Sequence, residues 1–84
     1  MILRITRKHI ANANKLRKSK GYLPWSDCPV ALALREAGFQ SPQVGLRSIQ
    51  VCGRVFRTTW RMVEFIRNFD ARRKVKPARF LLRA

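Results

Sequence analysis

Residues 28–38 read CPVALALREAG. Val30, Ala31, Leu32, Ala33, Leu34 and Ala37 leave this segment apolar almost all round. A helix of that kind is buried rather than laid on the surface. Pro29 suits a first helical turn, where its missing N–H does no harm. Ser26 or Asp27 is expected to supply the N-cap oxygen. Gly38 suits the left-handed residue that ends a helix. The small alanine faces fit close packing on a sheet, so the flanking segments are read for strands.

On the C-terminal side, Ser41-Pro42 marks a loop. Residues 44–51 and 54–57 are β-rich runs separated by Cys52-Gly53, which reads as a hairpin with a tight glycine turn. Thr58 or Thr59 then caps a helix from Trp60 to about Asp70. In it Met62, Phe65, Ile66 and Phe69 recur at i, i+3, i+4 and i+7, the pattern of one buried face. ARRKVK, residues 71–76, is a charged connector, and Pro77 stops helix continuation. ARFLLR, residues 78–83, reads as a last strand.

On the N-terminal side, MILRIT, residues 1–6, reads as a first strand. Thr6 can cap a short helix at Arg7. Ile10, Ala13 and Leu16 make only a thin apolar stripe, and Asn12 and Asn14 oppose a helix. A frayed helix passing into a basic loop is expected over residues 7–21. The order predicts an α+β fold: a small, mostly antiparallel sheet of about four strands, its terminal strands paired, with two main helices on one face. A length of 84 residues fits one domain, residues 1–84, with one modest core.

The charge is the outlier. Lys and Arg number 19 against 4 Asp and Glu, for a net +15. Self-repulsion at this density costs stability, and a polyanionic partner is the simplest reason to tolerate it. Arg outnumbers Lys 13 to 6; its planar fork suits phosphates and base stacking. Residues 1–26 carry +7, residues 27–60 carry +2 and residues 61–84 carry +6. Pairing of the terminal strands would join the two basic ends.

Two clusters are therefore candidates for nucleic-acid binding. The first is Arg7, Lys8, Lys15, Arg17, Lys18 and Lys20, with Tyr22 and Trp25 placed to stack on unpaired bases. The second is Arg72, Arg73, Lys74, Lys76 and Arg79, with Arg67 and Arg83 nearby. Cations at a helix end also complement its dipole, which accounts for Arg72 and Arg73 but not for Arg79 and Arg83.

Other chemistries lack material. His9, Cys28 and Cys52 are the only soft metal ligands and lack the four-ligand spacing of a structural zinc site. Asp27, Glu36, Glu64 and Asp70 are scattered, and Glu36 and Glu64 read as surface charges beside Arg35 and Arg61. A His9–Cys28 nucleophile and base is possible in principle, but no sequence feature places them together. Cys28, at the start of an apolar helix, reads as an inert buried thiol. No glycine-rich phosphate loop is present. The expectation is a protein that is not an enzyme and carries no cofactor or metal. Imitation of DNA needs carboxylates, the opposite sign. A membrane surface would call for a basic helix with a free apolar face. Without a signal-like apolar region, a cytosolic protein with reduced thiols is expected.

Cys28-Pro29-Val30-Ala31-Leu32-Ala33-Leu34, then Phe65-Ile66 with Phe69-Asp70, then Val75-Lys76-Pro77 with Phe80-Leu81, resemble small uncharacterised proteins encoded by phages and prophages. The resemblance covers most of the chain and implies a shared fold and a phage or mobile-element setting, hence the cytoplasm of a bacterial host. Two functions follow as expectations. One is a binder of nucleic acid or a ribonucleoprotein, DNA and RNA being equally open. The other is an inhibitor of a host defence complex, anti-CRISPR-like, or of another host enzyme, docking on an acidic protein surface.

Overall fold

The computed structural model describes residues 1–19 and 21–83. Thr6 opens the first helix through a capping box: its hydroxyl accepts from the His9 backbone N–H at 3.4 Å, and His9 Nδ1 accepts from the Thr6 backbone N–H at 3.0 Å. Ahead of it runs β1, Ile2–Ile5; after it runs α1, Arg7–Arg17. This helix is longer than its weak apolar stripe predicts. Its buried residues are His9 and the small Ala13, which let it lie close against a neighbouring helix. The His9 ring also reaches the Glu36 carboxylate through Nε2 at 3.0 Å.

Pro24–Asp27 forms a short turn of helix, α2, and Pro29–Glu36 forms α3. The expected caps differ here. Asp27 is committed to α2, where its carboxylate accepts the Leu23 N–H at 2.9 Å. The N-cap of α3 is instead Cys28, whose Sγ accepts from Ala31 N–H at 3.5 Å. Burial pushes the Cys28 thiol up to about 11, which keeps it neutral and inert. α3 is the centre of the fold: Val30, Ala31 and Leu34 are fully buried, and it touches α1, α2 and β1. Gly38, at φ +101°, ends it in the left-handed region.

The strands form two antiparallel sheets. β5, Ala78–Leu81, pairs with β1, as expected of the terminal strands. β2 (Gln43–Val44), β3 (Ser48–Val51) and β4 (Arg54–Arg57) make the second sheet, and an Arg57–Arg83 bridge links the two. The run 44–51 is thus broken rather than continuous. Gly45 N–H donates to Ser48 O at 2.9 Å, and a Cβ at Gly45 would stand 3.3 Å from that oxygen. The turn makes Val44 and Ile49 cross-strand partners on the buried side. Five residues apart in one straight strand, they would point to opposite faces. Cys52 and Gly53 both take positive φ in the β3–β4 turn.

α4, Trp60–Asp70, starts at Thr59, whose hydroxyl accepts from Met62 N–H at 3.3 Å. Its stripe of Met62, Phe65, Ile66 and Phe69 is buried as its spacing predicts. Phe65 meets Phe80 of β5 edge-to-face at 5.5 Å, and Phe39 meets Phe56 of β4 at 6.5 Å. One core of buried residues joins β1, α3, both sheets and α4. No helix among the described residues is long and apolar enough to cross a membrane.

Candidate nucleic-acid interface

The alternation of β1 decides where its cation points. Leu3 and Ile5 are buried, so Ile2 and Arg4 face outward. The register sets Ile2 opposite Leu81 and Arg4 opposite Arg79. All four are exposed. Like charges directly opposite each other destabilise a sheet. The pattern recurs where Arg57 is bridged to Arg83, both also exposed.

Around Pro77 the two basic ends of the chain converge. A shallow recess is lined by Arg4, Arg7, Pro77 and Arg79, with no carboxylate in its lining. Arg79 also borders a larger groove, about 1100 Å³, between α4 and residues 74–80. Arg61, Lys74 and Lys76 line that groove, with Trp60 at its side and Glu64 its one acid. The surface cations are scarcely neutralised. Among the described residues, Arg35 with Asp27 at 3.8 Å is the only Lys or Arg within 4 Å of a carboxylate.

The expected site residues separate into groups. Arg7, Lys74, Lys76 and Arg79 come together around Pro77. Lys8 and Lys15 are exposed along α1, and Lys18 is exposed at its C-cap. Arg72 and Arg73 are exposed just beyond α4, where Arg73 donates to the Asn68 side chain at 3.3 Å. Lys20 lies outside the described residues.

Arg17 is turned inward. Its guanidinium donates to the Phe69 carbonyl and the Asn14 side chain and sits 3.9 Å from the Phe69 ring centroid. It ties α1 to the end of α4, with two of its five N–H groups and one face of its plane already engaged. Tyr22 is half-buried, and its buried hydroxyl has no hydrogen-bond partner among the described residues. Burial above all, with the nearby Cys28 and Asp70 adding to it, pushes that phenol up to about 12. Trp25 is half exposed but lines a different recess, with Gln43, Val44, Gly45, Ser48 and Gln50 and no cation.

Glu36, expected as a plain surface charge, instead holds His9. Three groups in the grooves were not anticipated: Arg4, Arg61 and Trp60. Each was within reach of pattern. Arg4 lies between two inward-facing apolar residues of a strand, and Trp60 lies off the stripe that runs from Met62 to Phe69.

The described residues hold no group of three or more His, Cys, Asp or Glu able to hold a metal. No protein-family model matches the chain, and no curated protein or solved structure matches it either.

Proposed function

We propose that this chain is a small, non-enzymatic protein that binds nucleic acid, alone or within a ribonucleoprotein, on the arginine-rich face where its terminal strands pair. One observation carries the reading: Arg4 stands opposite Arg79, with Arg7 in the same acid-free recess. Side chains so placed repel one another in the free protein, and a row of phosphates converts that repulsion into attraction. Arg4, Arg7 and Arg79 hold phosphate oxygens through their planar forks. Contacts to phosphate carry no sequence information of their own, so binding is expected to be weakly sequence-dependent.

The test is retention of labelled single- and double-stranded oligonucleotides over a salt series. Log affinity should fall linearly with log salt. Absence of retention at low salt rejects the reading.

A second reading rests on Ile2 and Leu81, 63% and 45% exposed and directly opposite each other beside the arginines. Apolar side chains mixed with arginine also make protein interfaces. In the phage setting that the Cys28–Leu34 segment suggests, the partner would be an acidic host surface, such as a defence complex. A pull-down after nuclease treatment separates the two, because a protein-directed partner survives digestion.

A further inference from the structure

We infer that the groove between α4 and residues 74–80 takes single-stranded nucleic acid, with Trp60 as the platform on which a base stacks. This rests on the nucleic-acid reading above and narrows it.

Trp60 is 74% exposed, the highest value among the exposed large apolar side chains. It is the first residue of α4, directly after the Thr59 cap. It stands outside the buried stripe of Met62, Phe65, Ile66 and Phe69, so the core does not account for it. It shares its groove with Arg61, Lys74, Lys76 and Arg79. A fully presented indole beside a line of cations is the arrangement that grips a single strand: cations track phosphates while an aromatic face receives a base.

A duplex cannot use this arrangement, because its internal bases are already stacked on both faces. The exposed Lys8 and Lys15 of α1, and Lys18 at its C-cap, offer a duplex backbone only charge. The groove shares Pro77, Ala78 and Arg79 with the recess of Arg4 and Arg7. Between them the two linings offer six cations and one acid, Glu64.

The experiment compares the full chain with Trp60→Ala and Trp60→Phe. The probes are labelled oligodeoxythymidine and oligouridine of about 12 nucleotides, within the reach of a small single-strand-binding domain. A hairpin duplex with the same number of phosphates is the control. Single strands should bind more tightly than the hairpin at equal salt. Trp60→Ala should weaken single-strand binding roughly 5- to 150-fold and leave the hairpin unchanged, while Trp60→Phe retains most of the affinity. In a Trp25→Phe background, where Trp60 is the one remaining indole, oligodeoxythymidine should quench fluorescence. Circular dichroism checks that each variant is folded. Equal binding by Trp60→Ala and the parent, or a hairpin bound as tightly as the single strand, overturns the inference. In both cases salt-dependent retention would persist and the broader reading would stand. No retention of any probe at low salt removes both.

Discussion

The Arg17 guanidinium lies 3.9 Å from the centroid of the Phe69 ring, joining two helix ends more than fifty residues apart in the chain. It also donates to the Phe69 carbonyl, which the Arg72 backbone N–H already meets at 3.0 Å in the turn that closes α4. One side chain thus covers an aromatic face and adds a second donor at a helix terminus. Arg17→Ala should lower stability by about 1–3 kcal/mol in urea unfolding, because the cation–π attraction and the hydrogen bonds to the Phe69 carbonyl and the Asn14 side chain disappear together. Arg17→Lys should recover little, because an ammonium cannot stack and fork at once. Polyanion affinity should change less than it does in Arg79→Ala. The opposite ranking would return Arg17 to the binding surface.

The Arg4–Arg79 pair predicts a trade between binding and stability. Arg4→Thr removes a directly opposed like charge and places a β-branched residue on an exposed strand face. Stability should rise by a few tenths of a kcal/mol, on the order of a cross-strand pair. Affinity for oligonucleotides should fall, with the salt slope reduced by about 0.7–0.9 for each phosphate that is no longer neutralised. Thermal unfolding and a salt series on the same variant read both effects. A variant that is neither more stable nor a weaker binder contradicts the assigned role.

The two thiols should differ in reactivity. Cys52 is exposed in the β3–β4 turn, whereas Cys28 is buried and its thiol is pushed up to about 11 by that burial. A thiol reagent at mildly alkaline pH should label one cysteine in the native protein and both in denaturant. Cys52→Ser should abolish native labelling. Fast native labelling of Cys28 would contradict its placement as the cap of α3.

Alkali should unfold the protein through Cys28 and Tyr22. Both values are raised in the folded state, from 9.0 to about 11 and from 10.0 to about 12. The folded chain therefore holds protons that the unfolded chain releases. Stability from these groups is complete below pH 9 and is lost as pH rises through 11 and 12. Tyr22→Phe should flatten the upper part of that decline. At neutral pH it should also stabilise by about 1 kcal/mol, because it deletes a buried hydroxyl that lacks a partner among the described residues. Urea midpoints against pH for parent and variant test both statements.

The parts of the fold that were readable in advance are those set by neighbours in the chain. The stripe of α4, the Thr6 and Thr59 caps, the Gly38 stop and the Cys52-Gly53 turn are all local. The length of α1 was not readable, because Ala13 packs on another helix and His9 and Arg17 reach Glu36 and Phe69 across 27 and 52 residues. The cap of α3 was misplaced by one residue because α2 uses Asp27 first. The break at Gly45 was signalled by the glycine itself, which weakens a strand interior, but the flanking Val44, Ile49 and Val51 read as one run. In the interface, Arg7, Lys74, Lys76 and Arg79 were legible as charge, and their meeting was legible as a pairing of strands. The inward turn of Arg17 and Tyr22, and the separation of Trp25 from the cations, were not.

Composition alone settles that the chain carries +15 and that its two ends hold most of the charge. Net charge is a sum over residues and does not depend on how they fold. Folding settles which cations share a face. The β1–β5 register sets Arg4 against Arg79, and the long-range contact with Phe69 withdraws Arg17. A side chain's direction follows from register and from contacts distant in sequence, and neither is a property of its own neighbourhood in the chain.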